Sequence, residues 1–174
     1  QDKFNKQVNV LAQQYIRDAL LPMLQVACEG YCNVNIAADD PHTINVQYPS
    51  IFPAGYLRPE IRLEIGPLAE MVPYSQYAVT SYAAEINPQV FKQSSVVVHA
   101  IKPERTFWEK VTILHAETHR PEGKPHLDRY ARHYYDVHQM LGTDIERIAL
   151  ENLALLEEVV AFKTQFYPSA WAHY

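Results

Sequence analysis

The stretch RPEIRLEIGPL, residues 58–68, sets Ile61, Leu63 and Ile65 on one face of a short strand and Arg62 with Glu64 on the other. A carboxylate so placed either pairs with Arg62 at a wet surface or is presented to a metal or a reacting group. HAETH puts His115 and His119 at i and i+4 of one helix, a metal-capable spacing. A zincin helix needs its glutamate directly after the first histidine, and Ala116 stands there. The pair is therefore expected to be half-exposed near a helix C-terminus, where positive charge is favoured. Asp144 and Glu146 form a D-x-E, but Thr143 with Glu146 three residues on is a capping box, and Asp144 suits the first helical turn. That acidic pair reads as structural.

ERTFWEKVTILH places Lys110 at the margin of an apolar face made by Phe107, Trp108, Val111, Leu114 and His115. A lysine there either snorkels to solvent or reaches a phosphate as a point charge. In DRYARHYYD, Arg132 and Asp136 are i, i+4 partners, with Arg129 and His133 beside them.

These side chains need elements to hold them. FNKQVNVLAQQYIRDALLPML predicts a helix with Phe4, Val8, Leu11, Tyr15 and Leu24 on a stripe and a kink at Pro22. TINVQYP, EIRLEIG, QYAVTSYAAE and SSVVVHAI are candidate strands between Pro, Gly and Asn turns. From Pro103 the pattern turns helical. One helix opens on that proline and stops before Pro121; a second sets Tyr130, Tyr134, Val137 and Leu141 along a stripe and ends at Gly142. A third starts at Thr143 and runs on through ALENLALLEEVVAFK, and the aromatic tail QFYPSAWAHY is expected to pack back on the helices. The fold class is α+β, with residues 1–102 forming a helix and a strand layer and residues 103–174 a helical bundle.

The chain has 174 residues, 48% of them hydrophobic and 20% charged, as in ordinary globular proteins. No apolar run approaches the ~20 residues of a membrane span. Net charge is −5 with a pI near 5.9, which argues against a broad nucleic-acid platform while leaving room for a local basic pocket. Cys28 and Cys32, the only cysteines, make neither a disulfide framework nor a four-ligand zinc site, and reduced thiols fit a cytoplasmic protein.

The stretch VVVHAIKPERTFWEKVTILHAETHRPEGKPHLDRYARHYYDVHQML resembles the second half of the AbiEii/AbiGii nucleotidyltransferase toxins. In that family a strand leads into a P-E-x-x-x-x-x-K helix, matched by Pro103, Glu104 and Lys110. A second helix carries a K/R-D/H-x-x-D signature, matched by Arg132, His133 and Asp136. The resemblance spans roughly Ile44 to Tyr174. It implies a partial nucleotidyltransferase-like strand layer followed by a C-terminal helical bundle, and transfer of a nucleotidyl group from a nucleoside triphosphate to an acceptor such as tRNA or a protein hydroxyl. It further implies a cognate antitoxin and Mg²⁺ held by carboxylates. Lys110 and Arg132 become the phosphate contacts with Arg129 a further one, Asp136 orients Arg132, and Glu64 matches the third acid of the metal site. Lys110 and Glu64 are the catalytic candidates.

The family pattern also requires a Gly-Gly or Gly-Ser turn followed by D-x-D, and none of the five glycines here precedes Gly or Ser. The expectation is a C-terminal portion of a longer protein, inactive by itself. The competing expectation is a non-catalytic helical module that binds a partner protein.

Overall fold

The computed structural model describes residues 2–51, 58–125 and 129–174. It is α+β and divides into two compact units, the first ending at Ala69 and the second running Glu70–Tyr174. The sequence pattern placed the division at residue 102. The two strands between residues 74 and 101 stay with the helices, where the Lys102 N–H donates to Pro73 O at 2.9 Å and Arg105 reaches Glu70.

The first unit starts with α1 (Asp2–Tyr15), which widens into one π-helical stretch at Ile16–Leu20 before α2 (Leu21–Ala27). Pro22 sits in the first turn of α2. The expected kink is thus a π-bulge just upstream: proline lacks an N–H and crowds the carbonyl four residues back, so Leu21 N–H bonds Ile16 O five residues back. Three antiparallel strands follow in the order β1 (Asn33–Ile36), β2 (Thr43–Gln47) and β3 (Glu60–Glu64). The register pairs Val34 with Val46, Ile36 with Ile44, and Ile44 with Leu63. One face is therefore apolar, and Val34 and Ile44 pack with Ile16, Leu20, Leu21 and Leu24. Of the expected stripe Leu24 reaches this core, while Phe4, Leu11 and Tyr15 are exposed and Ile16 is buried instead. β1 was not among the expected strands: NVNI alternates Val34 and Ile36 with asparagines, but over only four residues.

The second unit opens with an antiparallel ribbon, β4 (Tyr74–Thr80) and β5 (Ser95–Ile101), paired from Tyr74–Ile101 to Thr80–Ser95. The expected strand QYAVTSYAAE turns helical midway: Ser81 caps α3 (Tyr82–Ile86) by accepting the Ala84 N–H at 3.1 Å. Then come α4 (Pro103–Thr118), α5 (Ala131–Met140), α6 (Asp144–Glu151) and α7 (Leu153–Phe166). Pro103 takes the first turn of α4, as expected. The segment HLDRYARHYYDVHQML becomes helical only at Ala131, and its residues 126–128 lie outside the described ones. Its inward face is Val137, Met140 and the buried His133, while Tyr134 and Leu141 are exposed.

Gly142 ends that helix with φ +73°. Thr143 Oγ1 accepts the Ile145 N–H at 3.2 Å, and Glu146 reaches back to the Gly142 N–H at 2.7 Å, one residue before the cap. The long final helix expected from the sequence breaks at Asn152. This break lets Ala149 of α6 and Leu155 and Val159 of α7 meet Phe107 and Trp108 in one core. Trp108 is pinned there by its Nε1–H bond to Ala149 O at 3.3 Å. The tail packs back on α4, where Tyr174 stacks over His115.

Candidate functional site

Glu64 lies at the end of β3, opposite Thr43, and is exposed. Strand alternation gives it the polar face, shared with Asn45, Gln47 and Arg62. Arg62 does not pair with it; the guanidinium stands 3.8 Å from Asp39 instead. Nearby, Asp40 accepts the His42 N–H at 2.9 Å and the Thr43 hydroxyl at 2.8 Å, and these bonds hold its carboxyl below the usual range. They fix the turn between β1 and β2 that sets Thr43 against Glu64.

The second unit carries a charged cluster on α4 and α5. Lys110 Nζ lies 2.9 Å from Asp136 Oδ2 and 3.2 Å from His133 Nδ1. The mate of Asp136 is thus Lys110, not the i, i+4 neighbour Arg132. A lysine on the adjacent helix reaches across more directly than an exposed arginine on the same face can fold back. The hydrogen bond from Lys110 lowers the Asp136 pKa, so this carboxylate stays ionised. Burial, then the charges of Lys110 and Arg132, lower His133. Its ring is accordingly neutral near pH 7, and Nδ1 can accept from the ammonium. An ammonium has three N–H donors, so one remains for a ligand after Asp136 and His133 are served.

Arg132 is exposed but acts on both His133 and Asp136 through its charge, which puts it in the same electrostatic neighbourhood as Lys110. Arg129 is also exposed and takes φ +66° just ahead of α5. Asp136 thus serves Lys110, and Arg132 is linked to the cluster only through its charge.

Behind this cluster lie groups that the sequence reading passed over. Arg105 is fully buried, with Nε 3.0 Å from Glu109, Nη2 2.8 Å from Glu70 and Nη1 donating to Val72 O. Glu109 thereby holds one side of α4 while its backbone carbonyl accepts from Lys163 Nζ at 2.8 Å. Burial brings the Lys163 pKa down to about 8, with Lys110 pushing the same way and Glu109 opposing. The available signals were the i, i+4 pair Arg105–Glu109 and a lone lysine inside the apolar run VVAFKTQF.

The His115 and His119 rings lie tilted to each other with centroids 4.5 Å apart, and His115 Nε2 lies 3.1 Å from His173 O. Among the described residues no group of three or more His, Cys, Asp or Glu side chains could hold a metal ion. The donor set for Mg²⁺ is thus not assembled by these residues. Cys28 and Cys32 are free thiols, and no helix is long and apolar enough to cross a membrane.

The chain is thus α+β, and its helical unit joins α4 to α5 through Lys110, Asp136 and His133. The chain belongs to the family described as Nucleotidyl transferase AbiEii toxin, Type IV TA system, which it matches over residues 2–171. Membership in a toxin–antitoxin family implies an antitoxin partner. No curated protein and no solved structure matches the chain.

Proposed function

We propose that this chain supplies the phosphate-binding helices and one carboxylate of a nucleotidyltransferase toxin that acts on an acceptor hydroxyl, a tRNA 3′ end being the leading case. The observation that carries the reading is the Lys110–Asp136–His133 cluster with Arg132 beside it, set at the positions of the family's two helical signatures. A partly buried ammonium with a spare donor binds a phosphate oxygen by a charge-assisted bond, and Arg132 adds a planar fork.

In the reaction the acceptor oxygen attacks the α-phosphorus of the triphosphate. A new P–O bond forms, the bond to the β-phosphate breaks, and pyrophosphate leaves with the electron pair. Lys110 and Arg132 stabilise the charge that develops on the departing phosphates, with Arg129 a further contact. Asp136 and the neutral His133 hold the Lys110 side chain in place. In the first unit, the exposed Glu64, whose neighbour Arg62 stands beside Asp39, would be the carboxylate available as the third acid of a metal site. Mg²⁺ belongs to this reading only together with carboxylates that the described residues do not supply.

The 174 residues alone should then transfer nothing. Two measurements test this. Incubating the chain with labelled nucleotides, Mg²⁺ and total tRNA should leave the tRNA unlabelled, and robust labelling would refute it. Reading the coding sequence upstream should reveal a Gly-Ser or Gly-Gly turn followed by D-x-D. Its absence would favour a non-catalytic module that binds a partner protein.

A further inference from the structure

The cavity bounded by α4, α7 and the C-terminal tail plays no part in the chemistry above. Its volume is about 450 Å³, within the ~300–1,000 Å³ typical of small-molecule sites. Tyr130, Trp171 and Tyr174 give it aromatic walls, and Arg120, Lys163 and Ser169 give it polar ones.

Three features describe an occupant. The first is the aromatic lining, which suits a flat π-system. Trp171 has Lys124 Nζ 4.2 Å from its ring centroid and the Arg120 guanidinium 5.5 Å away, so cations hold it in place. The second is a surplus of positive charge. Arg120 Nε donates to both Glu117 oxygens at 2.8 and 2.9 Å, so its charge is already answered. Lys163 spends one of three N–H groups on a neutral acceptor, Glu109 O. The charged groups facing it from α4 are Glu109, which shares its carboxylate with Arg105, and Lys110, which repels it. An anion would complete its shell. The third is the Ser169 hydroxyl, buried and without a hydrogen-bond partner among the described residues.

We propose that this cavity binds one unstacked nucleotide, its base among the aromatic walls and against the Ser169 hydroxyl, its phosphate on Lys163. The inference rests on the proposed function for its substrate class, but it assigns a site distinct from the Lys110–Asp136 cluster. The nucleotide comes either from free solution or from the end of a single strand.

The test uses the 174-residue chain carrying 5-fluorotryptophan, whose two fluorine resonances are assigned with Trp171→Phe. Trp108, buried in the core, serves as the internal reference. Uridine and adenosine monophosphates, the U and A trinucleotides, the two nucleosides and inorganic phosphate are titrated in turn. Nucleotides should move the Trp171 resonance saturably and leave Trp108 in place, while inorganic phosphate should leave both in place. A response to the monophosphates identifies a free-nucleotide site, and a response to the trinucleotides alone identifies a strand-end site. Lys163→Met should weaken the phosphorylated ligands by about tenfold or more and leave nucleoside binding unchanged. Ser169→Ala, which alters no charge, should weaken nucleosides and nucleotides alike. The proposal is overturned if no nucleotide moves Trp171 at concentrations up to about 10 mM, or if Lys163→Met binds monophosphates and trinucleotides as tightly as the parent chain. Tight binding here without transfer by any longer form would sink the proposed function alone; transfer without binding here would sink this inference alone.

Discussion

Lys110 of α4 and Asp136 of α5 meet at 2.9 Å, so one ion pair ties these two helices together. The pair has a structural and a functional face. Asp136→Asn should release the lysine, loosening the α4–α5 contact while leaving its charge available to phosphate. Lys110→Met should abolish that charge. In a transfer-competent protein, Lys110→Met is expected to lower triphosphate affinity by about tenfold or more and Asp136→Asn by less. Equal losses would mean that Lys110 binds the ligand only while Asp136 holds it. The pH behaviour follows from the lowered Asp136 pKa. Because the folded carboxyl loses its proton more readily than the unfolded one, the pair's stabilisation is complete above the ordinary value of 3.8. It is lost as the pH falls through the lower folded value. Acid unfolding of Asp136→Asn should lack this component.

Arg105 is the buried tie of the helical unit. Arg105→Met keeps the apolar stem but leaves Val72 O, Glu70 and Glu109 without their donor. Urea unfolding should show a loss of about 2–3 kcal/mol, since Glu70 and Glu109 remain partly hydrated and recover some solvation. Arg105→Lys should fall between the two, because an ammonium cannot span three acceptors in a fork. A loss below about 0.5 kcal/mol would show the network to be incidental.

Lys163 should behave in the opposite sense. The folded amine titrates near 8 against an ordinary 10.5. Between those values the unfolded chain binds more protons, so this group makes stability rise with pH across that window. Its burial is a cost at neutral pH, and Lys163→Met should therefore stabilise the chain by about 1–3 kcal/mol at pH 7. The advantage over wild type should shrink between pH 8 and 10.5. Comparing the two proteins cancels Tyr167 and Tyr174, whose pKa values burial raises. A destabilised Lys163→Met would mean that the bond to Glu109 O outweighs the desolvation.

The features legible from sequence were those with a local cause. Pro103 opens α4, Gly142 closes α5 at positive φ, and Thr143 caps α6, each through chemistry confined to a few residues. The apolar face of β3, where Leu63 and Ile65 join the core, followed from alternation. What escaped was set by partners distant in sequence. Asp136 was assigned to Arg132 because i, i+4 spacing is visible along a chain, whereas Lys110 lies 26 positions earlier. The break at Asn152 has no proline or glycine to mark it; the demands of packing Ala149, Leu155 and Val159 around Trp108 impose it. Arg62 found Asp39, in the turn between β1 and β2, instead of Glu64 on its own strand.

That last exchange leaves Glu64 as the residue whose role is most open to a direct test. An exposed carboxylate at the end of β3, relieved of Arg62, has little structural work to perform. Glu64→Gln keeps its size and removes its charge. Thermal stability should change by no more than ~0.5 kcal/mol, as for surface positions generally. In a form of the protein that supplies the D-x-D acids, nucleotidyl transfer should nevertheless collapse by about 100-fold or more, the loss expected when a general base or a metal-holding acid is neutralised. Glu64→Asp, which keeps the charge but shortens the reach, should retain part of the activity. If Glu64→Gln turns over at a near-normal rate, Glu64 is a solvated strand residue and the third acid lies elsewhere.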